Sequence, residues 1–88
     1  MKPVTRGMFA RSLAGHDKGK LYVIVDTDGT YVYLADGKIR TMEHPKKKKQ
    51  IHIQLCYEST EARSDEEIRK ALKAKGKEDL LDVENRCD

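Results

Sequence analysis

Two Asp-Gly dipeptides, Asp28-Gly29 and Asp36-Gly37, each lie between short runs rich in β-branched and aromatic residues. That arrangement is the strongest hairpin signal a sequence carries, because glycine at the second turn position accepts positive φ at little steric cost. Read as two-residue turns, they set a register. Asp26 faces Tyr31, Val25 faces Val32, Ile24 faces Tyr33 and Val23 faces Leu34; around the second turn Leu34 faces Ile39 and Tyr33 faces Arg40. The parities agree. Val23, Val25, Val32, Leu34 and Ile39 form the expected core face of a three-stranded meander, and Tyr22, Ile24, Tyr31, Tyr33 and Arg40 the other face.

Upstream, Gly7 to Ala14 reads as a less regular strand, and Gly15 to Lys20 as a loop. Downstream, Ile51-His52-Ile53-Gln54-Leu55 alternates, with His52 and Gln54 outward. Five short strands within about 50 residues favour a small barrel closed on itself, because closure removes exposed edges; an SH3-like barrel is the expected, mainly β fold. With 88 residues there is room for one core only. Charged residues make up 38% and there is no Trp, so a deep apolar pocket and an elaborate enzyme are disfavoured. No apolar run approaches the ~20 residues that span a bilayer and the start lacks a secretory signal, so the chain reads as cytoplasmic, with no membrane partner. Cys56 and Cys87 form no Cys-x-x-Cys pair, which indicates neither a disulfide framework nor a zinc knuckle; stability is expected from ordinary packing.

After Cys56 the period changes. Ser64-Asp65-Glu66-Glu67 reads as a capping box, with Ser64 accepting from the Glu67 amide and Glu67 reaching back to the Ser64 amide. Gly76 suits a left-handed stop, and Leu80, Leu81 and Val83 a further short turn. Ile68, Ala71 and Leu72 make a stripe too narrow to stand alone, so the helix should dock on the barrel, with Ile68 and Leu72 packing on the tyrosine face, or remain only partly formed. Charge divides the chain similarly. Residues 1–54 hold 11 Lys/Arg against 5 Asp/Glu, whereas residues 55–88 hold 7 against 10. The expected organisation is a basic barrel over 1–57 and an acidic helical extension over 58–88.

The loop from Gly15 to Lys20 is superficially like a phosphate-binding P-loop, but three residues separate its glycines and Leu21 stands where the metal-binding hydroxyl is needed. Plainer phosphate contact suits it: two glycines allow close backbone approach, and Arg11, Lys18 and Lys20 supply charge. Ser12-Leu13-Ala14-Gly15-His16-Asp17-Lys18-Gly19, followed by alternating hydrophobics, resembles the KOW motif of ribosomal proteins and transcription elongation factors. Asp36-Gly37-Lys38-Ile39-Arg40, then Pro45 with Lys46, Lys47, Lys48 and Lys49, and His52, are similar to small bacterial KOW-domain proteins related to the eukaryotic-type large-subunit ribosomal protein fourteen. The likeness covers residues 7 to 55. It implies an SH3-like barrel that binds structured RNA, most often ribosomal RNA, through loops carrying Arg11, Ser12, Gly15, His16, Lys18, Gly19, Lys20, Lys38, Arg40, Lys46 to Lys49 and His52. His16 stands where Arg is common in this subgroup.

Four adjacent lysines repel one another, so Lys46 to Lys49 should be extended and solvated unless an anion such as RNA phosphate offsets the charge. Tyr22, Tyr31, Tyr33 and Arg40, sharing a face, can stack unpaired bases if the helix does not cover them. His16, His44, His52 and Cys56 have no zinc-site spacing, and alternation places His52 and Cys56 outward. Asp17, Asp26, Asp28 and Asp36 sit in or beside turns and read as turn formers. No nucleophile, base and orienting group can be named together, so neither catalysis nor a cofactor is expected. The expected function is RNA binding, on ribosomal RNA or the large ribosomal subunit; the alternative is a protein-interaction barrel whose acidic helix or tyrosine face meets a partner in translation or transcription.

Overall fold

The computed structural model describes residues 4–81. Five strands, β1 (Met8–Ser12), β2 (Leu21–Thr27), β3 (Tyr31–Ala35), β4 (Lys46–Lys49) and β5 (Ile53–Ser59), precede one helix, α1 (Asp65–Leu81). They form a single antiparallel sheet in the order β4-β3-β2-β1-β5. The sheet curls into a half-barrel with the helix against it, compatible with the small SH3-like barrel and C-terminal helix expected from the strand pattern; β4 and β5 end the sheet order, so among the described residues the expected closure is not reached. A 3-10 turn at Gln50–His52 links β4 to β5.

Both faces of the sheet are covered. Met8, Ala10, Tyr22, Ile24, Val32, Leu34 and Ile53 pack inside the curl. Phe9, Val23, Ala35 and Cys56 lie on the opposite face beneath Ile68 of the helix. Two buried faces explain why β1 begins with the unbroken apolar run Met8-Phe9-Ala10, a pattern less regular than one-sided alternation. They also correct the outward placement of Cys56, which is 3% exposed. Cys56 is disulfide-bonded, so packing is not the whole of its contribution, contrary to expectation; Cys87 lies outside the described residues.

The register differs from two-residue turns. Thr27 pairs with Val32 and Asp26 with Tyr33, and after an irregularity at Val25 the pairs are Ile24 with Leu34 and Val23 with Ala35. Asp28 causes the longer turn, since its Oδ1 accepts from the amides of both Thr30 and Tyr31, at 3.1 and 2.8 Å. The bulge then shifts pairing by one, which moves every later side chain to the other face. Tyr22 and Ile24 therefore join the inner core, whereas Val23 and Val25 face the helix.

Asp36-Gly37 does not join two strands. Asp36 Oδ1 accepts from the amides of Lys38 and Arg40, and the Arg40 carbonyl accepts from those of Asp36 and Gly37, closing a compact loop. Gly37 has φ of +78°, and a Cβ there would lie 2.3 Å from the Asp65 carbonyl oxygen. The loop is thus pressed onto the start of α1, with the Arg69 guanidinium donating to the Gly37 carbonyl. Ile39, expected in the core, sits on this loop and is 81% exposed. The strand beside β3 is instead the lysine tract, with Leu34, Val32, Tyr33 and Tyr31 opposite Lys46, Lys48, Lys47 and Lys49. Alternation buries Lys46 and Lys48 partly on the inner side and leaves Lys47 and Lys49 exposed, the long aliphatic stems serving as the apolar part of each side chain.

The helix begins as the capping signal requires: Ser64 Oγ accepts from the Glu67 amide at 3.2 Å. The reciprocal arm differs, because Glu67 Oε1 accepts from the Arg63 amide and not from that of Ser64. Asp65 Oδ1 accepts from the Met42 amide at 2.9 Å and ties the helix start to the long connection before β4. The helix runs through Gly76 without stopping. Lys75, 7% exposed, reaches Glu58 Oε2 at 2.9 Å and anchors this part of α1 to β5. Docking is on Phe9, Val23 and Ala35, on the sheet face that also carries Tyr31 and Tyr33 but not on those rings, where sequence reasoning had placed Ile68 and Leu72. Val83 and the chain end lie outside the described residues.

Candidate nucleic-acid interface

The glycine loop and the lysine strand meet at Asp17. Its Oδ1 receives Lys48 Nζ at 2.8 Å and faces Ser12 Oγ at 2.9 Å; its Oδ2 receives Tyr22 Oη at 2.7 Å and Lys46 Nζ at 2.9 Å. Lys48 Nζ donates also to Ser12 Oγ and to the Ala14 carbonyl, at 2.5 and 2.8 Å, so the three protons of its ammonium have three protein acceptors. The sequence produces this cluster simply. Ser12 ends β1, Tyr22 lies on the inner side of β2, and only every second lysine of β4 shares that side. Positive φ at Gly15 and Gly19 folds the loop back over them.

Electrostatics follow from this geometry. Burial by itself would raise the Asp17 carboxyl, but the bonds from Lys48, Tyr22, Lys46 and Ser12 outweigh it and hold the group well below the ordinary carboxylate range. Tyr22 moves the opposite way: burial, and then the Asp17 carboxylate, push its hydroxyl above the ordinary tyrosine range. Asp36 has a similar balance. Burial opposes its charge, and the Lys20 ammonium with the Lys38 and Arg40 amides prevails and lowers it.

The sequence-predicted residues therefore divide. Ser12, Gly15, Lys46 and Lys48 gather around Asp17. Lys20 is paired with Asp36 and lies 5.2 Å from the Tyr22 ring, and Arg11 donates to the Gly19 carbonyl at 2.7 Å. His16, Lys18 and Gly19 are exposed on the loop, Lys38 and Arg40 on the Asp36 loop, and His52 on the 3-10 turn, whose carbonyl accepts from the Leu13 amide. Lys47 and Lys49 project from the other side of β4, beside half-buried Tyr31 and Tyr33, with Lys47 Nζ 4.3 Å from the Tyr31 ring centre. Arg40 and Tyr22, expected to share that tyrosine face, do not: Tyr22 is buried and Arg40 belongs to a loop.

Sequence reasoning missed the part played by Asp17, which looked like a local turn former because glycines flank it. The same reading suits Asp28 and Asp36, whose carboxylates do bind nearby amides. The available signal was an acid in a basic loop, facing a lysine run that strand alternation would split in two. Among the described residues, no three His, Cys, Asp or Glu side chains come together as metal ligands, and no helix is long and apolar enough to cross a membrane. No protein-family model and no curated protein matches the chain.

Proposed function

We propose that this chain is an RNA-binding module that meets sugar-phosphate chains with the exposed cations around its glycine loop and lysine strand, and that its target is ribosomal RNA or the large ribosomal subunit. The carrying observation is the contact of Lys48 with Asp17 and the Ala14 carbonyl, which holds two basic segments, 31 residues apart at the Lys48–Asp17 pair, side by side. Exposed Lys18, Lys38, Arg40, Lys47 and Lys49 supply charge to bulk solvent; Lys46 and Lys48 serve as internal struts. The choice of a ribosomal target rests on the resemblance of the Ser12–Gly19, Asp36–Arg40 and Pro45–His52 segments to KOW-domain proteins.

Salt dependence tests the mechanism. Neutralising about 4 to 6 phosphates makes log affinity fall with log salt at a slope of roughly −3 to −5. A slope near zero with RNA rejects phosphate contact. Sedimentation of lysate through a salt-containing gradient identifies the target, since the protein should travel with large subunits or their precursors.

A further inference from the structure

We propose that the outer face of β3 and β4, carrying Tyr31, Tyr33, Lys47 and Lys49, binds unpaired nucleotides of single-stranded RNA, one base to each tyrosine ring. This rests on the RNA-binding reading and names the class of RNA taken at one place.

Tyr31 and Tyr33 are alternate residues of β3 and so project from the same face, about 7 Å apart along the strand. Pairing puts Lys49 across from Tyr31 and Lys47 across from Tyr33. The helix stops short of this place, covering Ala35 at the far end of the same strand face, and both rings remain partly exposed. Two aromatic rings beside a row of cations are the elements of a stacking platform, in which rings hold bases and lysines follow the phosphates; Lys47 Nζ, 4.3 Å from the Tyr31 ring centre, swings from the ring to the phosphate as the base arrives.

Geometry selects the form of the nucleic acid. Bases stacked in a duplex repeat at about 3.4 Å, half the spacing of the two rings, and their faces are already occupied by neighbouring bases. Only a strand whose bases are splayed apart can give each ring its own base. Charge sets the direction. On the β2 side, Asp26 pairs with Tyr33 and Asp28 Oδ2 lies 3.4 Å from the Tyr33 hydroxyl, so phosphates are repelled there and the chain must pass on the β4 side, over Lys47 and Lys49.

The test uses the full chain with an eight-nucleotide oligouridylate, the same length as an RNA duplex, and a structured ribosomal RNA fragment. Upfield shifts of the Tyr31 and Tyr33 ring protons on adding oligouridylate are expected, and their absence overturns the proposal without needing a variant. Tyr31→Leu and Tyr33→Leu should each weaken oligouridylate binding roughly 10- to 100-fold, while Tyr31→Phe and Tyr33→Phe restore it and duplex affinity stays unchanged. Equal loss on duplex and oligouridylate, or no loss on either, refutes base stacking while leaving phosphate-mediated binding intact. Failure of wild-type protein to bind all three RNAs removes both this proposal and the RNA-binding reading.

Discussion

Lys48 Nζ lies 2.8 Å from Asp17 Oδ1, joining the lysine strand to a loop 31 residues earlier. Their side chains are 10% and 11% exposed, so this is an ion pair taken largely out of water and satisfied by further hydrogen bonds. It makes Asp17 a structural residue within a surface otherwise rich in cations.

Replacing that carboxylate should leave two partly buried ammonium groups without their counter-charge. Asp17→Asn is expected to destabilise the fold by about 3 kcal/mol, and thus to lower the thermal midpoint by roughly 12 to 24 °C for a chain of this size. Differential scanning calorimetry measures it. An unchanged midpoint would mean that the cluster contributes nothing net.

Acid should undo the same contacts. Asp17 and Asp36 both titrate below the value near ~3.9 of an unfolded chain. A carboxyl depressed on folding contributes stability that is fully present above the unfolded value and is lost as pH falls through it toward the folded value. Urea midpoints should therefore be flat from about pH 7 to 5 and decline steadily below. Asp17→Asn should show a shallower decline, and equal slopes in the two proteins would count against the assignment.

Alternate lysines of β4 should behave as two classes. Lys47→Ala and Lys49→Ala, at exposed positions, should leave stability within about 0.5 kcal/mol of wild type and reduce the magnitude of the RNA salt slope by nearly one each. Lys48→Ala should instead lower stability by about 2 kcal/mol or more, because it strips Asp17 of the better buried of its two lysine partners. If all of these behave alike in both assays, the division of the strand is wrong.

Two glycines offer a paired comparison. Gly19 and Gly37 both have positive φ, but a Cβ at Gly19 meets open space, whereas one at Gly37 collides with the Asp65 carbonyl. Gly19→Ala should cost about 1 kcal/mol from backbone strain alone. Gly37→Ala should cost about 3 kcal/mol or more and loosen the loop from α1. Chemical denaturation of the two variants checks the order, and a reversal would show that the loop yields easily.

The helix should prove integral to the fold. Ile68 is fully buried against the sheet, so Ile68→Ala should cost about 3 kcal/mol. A loss below about 1 kcal/mol in equilibrium unfolding would make α1 a detachable extension.

Strand count, helix start and the presence of a small curled sheet were legible from local chemistry: turn residues, alternation and the Ser64 cap. Register was not. One carboxylate, Asp28, lengthens its turn by binding two amides, and a single bulge at Val25 then exchanges the faces of β2. Tyr22 consequently went from an expected surface ring to an inner-core one with its hydroxyl on Asp17. The fourth strand was hidden for another reason. Propensity argues against lysine in a sheet, but Leu34 and Val32 offered a pairing edge that the closed Asp36 loop left vacant, and tertiary pairing overrode local preference. Gly76 failed as a stop because anchoring through Lys75 and Glu58 holds the helix across it. In the candidate interface, the basic segments were recognisable, but which cations would be consumed internally depended on that hidden strand.

The position of β4 at the end of the sheet order has a consequence for assembly. An unpaired rim of a β-sheet invites a strand from another molecule, and two copies meeting rim to rim would crowd the four exposed ammonium groups of their Lys47 and Lys49 residues into a narrow ribbon. Such self-addition is repelled at low ionic strength and eased by added salt, so the tract guards this border of the molecule against fibrous growth while leaving it open to an anionic visitor.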